Sequence, residues 1–395
     1  MNFIFKDSLI FFILSFSLII RILFLLFFPE LDFPDARAYE TMGGQIFAGE
    51  LITNNIYMPL YPILSYISGG GVTKNILDII LSVAMVWVIY KLSYELFNSR
   101  ASSMIAAIIS SVYPHFVFYS ISGLTETFFT LLLLISFLLF YKEKYLSAIF
   151  ILILLVLIKP TLDLLNIFLV IGFTFFVFRR GYLSTIKHCL LYFLLYVFLM
   201  SPWWVHQYNK YGEFVRLNLG DGIVLYSGNN SLNQTGGGIG RHDGQSDMDL
   251  SKFSKFDNPI ERNTAMKDAA ISYIISNPGR FLELSYIKFV RFWRLWPHTE
   301  LYQQWYTVSA SLFSYGLVLF LAIGFAVRDS KKYFRKLIPI YALVTYLTLV
   351  HMITIGSIRY RFPLEPFLII FASQFLFTLL QNKPWFINIS NKYLE

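Results

Sequence analysis

The first polar segment of the chain, LDFPDARAYETMGGQIFAGEL, places Asp35 and Tyr39 four residues apart, directly after Pro34. Proline is favoured at the start of a helix, and residues four apart share one helix face. The spacing therefore predicts a short helix that presents a carboxylate beside a phenol. Such a carboxylate can act as a general base if it reaches the proton it must take. Helix capping is the alternative role for Asp35, because an acidic residue is favourable in the first turn of any helix.

Five more charged residues lie within or beside long apolar segments: Arg21, Glu126, Lys159, Arg359 and Arg361. An unpaired charge inside a membrane costs about 2.5 to 3.5 kcal/mol, so such residues usually have a function. Arginine and lysine bind phosphate, whereas carboxylates transfer protons, so the set suits a ligand that carries both phosphate and hydroxyl groups. Ion pairing within the set, such as Arg21 with Glu126, and snorkelling of the cations to the interface are the alternatives.

Two histidines stand at ends of apolar segments: His115 follows Pro114, and His351 precedes Arg359 by eight residues. Both are candidate substrate-binding residues, with packing or hydrogen bonding as the alternative. The chain has one cysteine and no helical histidine pair at ligand spacing, so we expect no metal site and no cofactor. The glycine-rich run at 235–244 lacks the strand and the Lys-Ser/Thr of a phosphate loop, which leaves a mobile cover or a plain connector.

The composition indicates a membrane protein. Of the 395 residues, 56% are hydrophobic, 19% aromatic and 14% charged, against roughly 25% charged in soluble proteins. The single cysteine, Cys189, excludes a disulfide-stapled secreted scaffold. The net charge of +8 is spread between apolar segments and does not form one basic domain, so we expect no nucleic-acid partner.

The apolar segments predict an all-α polytopic protein with about ten transmembrane helices. These spans are expected near 9–28, 75–97, 101–119, 123–141, 145–158, 161–178, 186–201, 305–327, 337–352 and 363–381. Lysine and arginine are concentrated in alternate short connections, which places both termini on the cytoplasmic side of the membrane.

Three parts follow from this topology: a transmembrane module over 1–201, an outer segment over 202–304, and a C-terminal transmembrane module over 305–395. The first module includes an outer segment at 29–75, which should carry short helices. Within the long outer segment, 281–297 has basic residues on one helix face and predicts an interfacial helix, with an eleventh span as the alternative.

The order of these features resembles the GT-C membrane glycosyltransferases, specifically the bacterial relatives of protein O-mannosyltransferases and aminoarabinose transferases (glycosyltransferase 39/83-like). The resemblance covers most of the chain, although each motif alone is weak. The motifs are Arg21, the Asp35–Tyr39 element, MPLYP at 58–62, YP at 113–114, TE at 125–126, KPT at 159–161, SPWW at 201–204 with YGEF at 211–214, NPGRF at 277–281 and RYRFPLEP at 359–366.

The resemblance implies an inverting transfer of a sugar from a polyprenyl-phosphate donor to a lipid, glycan or protein acceptor. The reaction would take place on the outer face of the bacterial cytoplasmic (inner) membrane. Asp35 takes the position of the general base, and Lys159, Arg359 and Arg361 would neutralise the lipid phosphate. Tyr39 and Glu126 would shape the sugar site. The substrate-binding set also includes Arg21, His115 and His351.

Two departures from the family pattern concern the donor site. Lys159 stands where members often carry arginine, and His206 and Gln207 replace a common Arg-Asn pair. Two other functions remain as alternatives, a polytopic transporter and a lipid-linked glycan flippase or polymerase. A transporter would favour paired repeats with broken helices at the middle of the membrane, and no clear duplication is visible in the sequence.

Overall fold

The computed structural model describes residues 2–389 except 30, 32, 51, 53–54, 239–247 and 299–301, and these residues form helices with no strand. The α-helices are α1 Asn2–Phe27, α2 Pro34–Ala48, α3 Leu60–Ile67, α4 Gly71–Phe97, α5 Arg100–Val112, α6 Pro114–Tyr119, α7 Thr125–Tyr141, α8 Tyr145–Ile158, α9 Asp163–Ile171, α10 Tyr182–Tyr211, α11 Asp221–Gly228, α12 Pro259–Ser276, α13 Pro278–Trp293, α14 Trp305–Ser311, α15 Leu317–Arg328, α16 Ser330–Ile353, α17 Ile358–Arg361, α18 Glu365–Leu380 and α19 Pro384–Ile389. Short 3₁₀ or π segments join several of them.

Seven helical stretches among the described residues are long and apolar enough to cross a membrane. They are Ser8–Phe27, Gly71–Phe97, Pro160–Val177, Tyr182–Tyr211, Trp305–Arg328, Ser330–Ile353 and Ile358–Leu380. Three shorter apolar helices, α5, α7 and α8, coincide with the other three predicted spans. The all-helical, polytopic architecture is therefore confirmed, while the count of about ten spans stays a prediction.

One predicted span, 101–119, is divided in the structure. Helix α5 ends at Val112, and α6 begins at Pro114 after an extended Tyr113. Proline has no N–H to continue the helical hydrogen-bond pattern and disfavours helical backbone in the residue before it. The predicted span is therefore two separate helices in the structure.

The interior of the bundle is formed by α4, α5, α7, α8, α15 and α18, whose apolar side chains make one large buried cluster. Helices α1 and α10 lie at its edge, and many of their phenylalanine and leucine side chains are exposed. In a membrane these exposed apolar side chains would contact lipid.

The segment 29–75 contains the predicted short helix. Helix α2 begins at Pro34, with Asp35 in its first turn. It packs against α3 so closely that a Cβ on Gly43 would lie 2.3 Å from the carbonyl oxygen of Pro62. Only glycine allows this approach, and it fixes α2 against α3.

Helix α13 covers most of the segment 281–297. It has 16 residues and is not among the helices of the described chain that are long and apolar enough to cross a membrane. It packs instead against α16 and α17. The interfacial placement of this helix stays a prediction.

Candidate active site

Four of the predicted site residues form one continuous ion network. Arg359 Nη1 lies 2.7 Å from Asp35 Oδ2, and Arg359 Nε lies 2.6 Å from Glu126 Oε1. Lys159 Nζ lies 2.9 Å from the same Glu126 oxygen. The sequence separations are as large as 324 residues, so the fold brings together groups from four distant segments.

Each residue of this network stands at the end of a helix. Asp35 and Glu126 lie in the first turns of α2 and α7, and Lys159 is the extended residue between α8 and Pro160. Arg359 is the second residue of α17, and its backbone N–H donates a hydrogen bond to the Ser357 hydroxyl. The ends of four helices therefore converge on one site.

The two carboxylates of the network have different environments. The Glu126 side chain is 1% exposed and accepts from both cations, whereas the Asp35 side chain is 33% exposed. Glu126 therefore fixes the cations, and Asp35 is the carboxylate that an incoming molecule can reach. The side-chain contacts of Asp35 are to Arg359 and Tyr57, not to the backbone amides of its own helix.

Tyr57 is the second side-chain partner of Asp35. The Tyr57 hydroxyl donates a 2.9 Å hydrogen bond to Asp35 Oδ1, and the Tyr57 ring contacts the ring of Tyr39 at 4.6 Å between centroids. Burial, followed by the charge of Asp35, raises the pKa of Tyr57. Tyr57 therefore remains a protonated donor at neutral pH. Tyr39 is buried, and its ring also meets that of Tyr61 at 5.0 Å.

Arg361 and His115 belong to a second network. Arg361 is fully buried, with its Nε 3.1 Å from Glu365 Oε1 and its guanidinium 3.5 Å from the centre of the Tyr315 ring. Its Nη1 also donates to the backbone carbonyls of Phe292 and Arg294. His115 Nδ1 lies 2.9 Å from Glu365 Oε2. The structure does not bring this pair to the Asp35 network.

Arg21 and His351 are also separate from that network. Arg21 is fully buried between α1 and α4, where it donates to Ser82 Oγ at 2.8 Å and to the Ser111 carbonyl at 3.0 Å. His351 stacks between the rings of Phe292 and Tyr360. Tyr360 lies next to Arg359, and Lys159 Nζ is 5.9 Å from the Tyr360 ring. His351 therefore contacts the residue next to Arg359 and does not contact the network itself.

Sequence reasoning missed two partners of the predicted residues. Tyr57 directly precedes the MPLYP motif, and Glu365 lies within RYRFPLEP, four residues after Arg361. The four-residue spacing of opposite charges was the available signal for Glu365. Nothing in the sequence around Tyr57 points to its bond with Asp35, since that contact depends on how α2 and the following loop pack.

Two features discussed from the sequence fall partly outside the described residues. The glycine-rich run is one, since it is described only up to Gly238, and the first polar segment is the other, since residues 32 and 51 lie outside the described part of the chain. The beginning of the glycine-rich run packs against the turn before Arg359, because Gly356 N–H donates to the Gly236 carbonyl at 3.1 Å. Within the described part of the chain, no group of three or more His, Cys, Asp or Glu residues could hold a metal ion.

The chain resembles a known structure although its sequence does not match known families. No protein-family model and no curated protein matches it. Among solved structures it is similar to the archaeal oligosaccharyltransferase AglB from Archaeoglobus fulgidus, with a TM-score of 0.57 and 13% identity over 98% of this chain. The fold of this chain is therefore similar to that of AglB.

The likeness to AglB establishes the architecture and does not extend to the whole of that protein. This chain spans about half of AglB, 52% of its length. AglB was solved in complex with an inhibitory peptide and a dolichol-phosphate. The specific relation to bacterial O-mannosyltransferases and aminoarabinose transferases stays a prediction.

Proposed function

We propose that this protein is an inverting membrane glycosyltransferase of the GT-C type that moves a sugar from a polyprenyl-phosphate donor to a lipid, glycan or protein acceptor. The observation that carries the proposal is the network in which Arg359 joins the accessible Asp35 to the buried Glu126. A reachable carboxylate beside two cations matches a reaction that takes a proton and releases a phosphate.

Asp35 is the general base in this proposal. The acceptor hydroxyl gives its proton to Asp35 as its oxygen forms a bond to the anomeric carbon of the sugar. The bond from that carbon to the phosphate oxygen breaks, and its electron pair leaves with the lipid phosphate. Attack from the face opposite the phosphate inverts the anomeric centre. The Tyr57 hydroxyl donates to Asp35 Oδ1 and Arg359 Nη1 donates to Asp35 Oδ2, so both oxygens of this partly exposed carboxylate are oriented at the place where the acceptor would arrive.

Lys159 and Arg359 stabilise the departing phosphate. The ammonium of Lys159 has three N–H donors, and the structure shows one bond, to Glu126. Arg359 uses Nε and one Nη1 hydrogen on the carboxylates, which leaves Nη2 for a ligand. A phosphate placed between these groups would receive donors that are already oriented, which is the arrangement that electrostatic catalysis needs.

The site's position explains why the reaction would use a membrane protein. A polyprenyl tail stays in the bilayer, and the site lies at helix ends, where a lipid-borne donor and a water-borne acceptor can meet. We place this end of the bundle at the outer face of the bacterial cytoplasmic membrane, with both termini inside. In this proposal the module over 1–201 carries the base, and the C-terminal module supplies Arg359.

The decisive experiment is Asp35→Asn in isolated membranes supplied with a panel of radiolabelled polyprenyl-phosphate hexoses. The amide cannot accept the proton, so we expect transfer to fall by about 10²- to 10⁴-fold. Donor binding should be retained, because the two cations remain. The matched control is Asp268→Asn, the same change at an exposed residue of α12. Unchanged transfer by the Asp35 variant would remove the proposed base.

A further inference from the structure

A cavity of about 710 Å³ opens at the end of the bundle opposite the candidate active site. Helix α5 begins at this cavity and ends next to the segment that holds His115. Helix α18 runs from Glu365 to the same cavity. The proposed transfer reaction therefore assigns no role to this cavity, and its residues belong to neither ion network.

The lining of this cavity is positively charged. Three of its residues are cationic, Arg100, Arg328 and Lys332, and one, Asp329, is anionic. Asp329 is already used, since it accepts from Arg328 at 2.9 Å and from Thr378 at 2.9 Å. The first turn of α5 also lines the cavity, and its amide groups add the partial positive charge of a helix N-terminus.

A buried glutamine, Gln374, also lines this cavity. Gln374 is 3% exposed, and its Oε1 has no hydrogen-bond partner among the residues that the structure describes. Leaving a buried polar atom unpaired costs about 1 to 3 kcal/mol. An oxygen can only accept, so the missing partner is a donor such as a hydroxyl. The cavity is therefore lined both by cationic side chains, which can bind an anion, and by an amide oxygen, which can accept a hydrogen bond from a hydroxyl.

We propose that this cavity binds the headgroup of an anionic, hydroxylated phospholipid such as phosphatidylglycerol. The phosphate would contact Arg100, Lys332 and the N-terminus of α5, and a glycerol hydroxyl would donate to Gln374. Phe97 and Phe377 also line the cavity, which provides apolar surface for the glycerol backbone of the lipid. Basic pockets between helices on the cytoplasmic side of membrane proteins commonly hold such headgroups.

The test uses the full chain in neutral detergent and measures lipid binding by native mass spectrometry and by the shift in unfolding temperature. The probes are phosphatidylglycerol, phosphatidic acid, phosphatidylcholine and inorganic phosphate. We expect phosphatidylglycerol to bind most tightly. The double variant Arg100→Gln with Lys332→Gln should weaken its binding by about 30-fold, if each charge near a lipid surface contributes about 1 kcal/mol.

A second variant tests the hydroxyl contact. Gln374→Leu should abolish the preference for phosphatidylglycerol over phosphatidic acid, which carries the phosphate without the glycerol headgroup, while phosphate-dependent binding persists. The control is Lys142→Gln with Lys144→Gln, an equal loss of charge at exposed residues of the turn between α7 and α8, at the same end of the bundle.

Three results would overturn the proposal. The first is equal binding of phosphatidylglycerol and phosphatidylcholine. The second is an equal loss of binding in the control double variant. The third is stabilisation by inorganic phosphate that matches that by the lipid, since this would indicate a site for a free anion. None of the substituted residues belongs to the proposed catalytic machinery, so sugar transfer should continue in every variant.

Discussion

At the scale of single residues, the candidate site depends on the shape of one guanidinium. Arg359 uses Nε for Glu126 and Nη1 for Asp35, so two carboxylates from different helices are held by one planar group. The four network residues carry two positive and two negative charges, which cancel. A lipid phosphate would therefore bind to oriented donors and not to a large excess of positive charge, and geometry should matter more than net charge.

Arg359→Lys tests this dependence on geometry. Lysine keeps the charge but offers a single nitrogen, which cannot bridge both carboxylates. A lost hydrogen bond to a charged group costs about 1.5 to 3 kcal/mol, so we expect kcat/KM for the lipid donor to fall by about 10- to 150-fold. Arg262→Lys, at an exposed arginine of α12, is the control. Equal kcat/KM for Arg359→Lys and the unsubstituted protein would show that charge alone is sufficient.

Lys288 on α13 is a buried lysine that makes no ion pair in the described structure. Its ammonium donates to Asn229 Oδ1 at 2.9 Å and to the Ile353 carbonyl at 3.1 Å. Burial lowers the pKa of Lys288 to about 7. Between this value and the ordinary lysine pKa near 10.5, the unfolded chain holds a proton that the folded chain does not. Stability should therefore rise with pH above about 7.

A comparison of the unsubstituted protein with Lys288→Met isolates the contribution of Lys288 to the pH dependence of stability, because the two proteins share every other titrating group. We expect the unfolding temperature of the unsubstituted protein in detergent to rise relative to that of the variant as the pH increases from 7 to 9. Below pH 7 the difference in unfolding temperature between the two proteins should be constant, since the lysine is then protonated in both the folded and the unfolded chain. A difference that does not change between pH 7 and 9 would contradict the lowered pKa.

At the scale of helices, contacts from the segment 202–304 determine where α17 lies. The turn between α16 and α17 contacts α13 through Lys288 and contacts the chain after α11 through Asn229 and Gly236. Gly228 is in such close contact with this turn that a Cβ would lie 1.8 Å from the Thr354 carbonyl oxygen. The position of Arg359 thus depends on residues far from it in sequence.

Gly228→Ala should reduce transfer although Gly228 touches no group of the network. The added methyl must displace the Thr354 turn, which moves Arg359 away from Asp35. We expect kcat to fall by about tenfold or more, because small displacements from reactive geometry can cost up to 10²-fold in rate. The matched control is Gly279→Ala, where a Cβ meets nothing within 4 Å. Full activity in the Gly228 variant would show that the turn does not position Arg359.

The helix scale also explains which parts of the site the sequence could predict. Charges beside apolar segments identified Glu126, Lys159 and Arg359, because the cost of burying charge limits where such residues occur. The position of Asp35 after Pro34, four residues before Tyr39, identified the fourth residue. Arg359 and Arg361 were grouped as one phosphate-binding pair. Arg361 follows Arg359 by two residues in α17. Two residues of an α-helix correspond to a rotation of about 200° around the helix axis, so the two arginines lie on opposite sides of α17. The sequence did not predict a four-residue helix there.

At the scale of the whole molecule, the ten apolar segments found in the sequence correspond to helices in the structure, because long apolar runs are a strong local signal. The sequence indicated that α2, α7 and α17 meet at one site only because the predicted topology places their connecting segments on the same side of the membrane. Distances between segments depend on packing, which no local pattern contains. The two ends of the bundle differ in chemistry, with a proposed sugar-transfer site at one end and a basic cavity at the other.

The orientation of these two ends in the membrane can be tested with cysteine labelling. Cys189 is the single cysteine, so Cys189→Ala provides a cysteine-free background. Asp268→Cys on α12 would report the end with the candidate active site, and Lys142→Cys after α7 would report the end with the basic cavity. Because the cytoplasmic side holds the excess of lysine and arginine, a membrane-impermeant maleimide should label only the first variant in intact cells and both after permeabilisation. Labelling of Lys142→Cys alone in intact cells would place the proposed catalytic carboxylate in the cytoplasm, where the outer-face reaction could not occur.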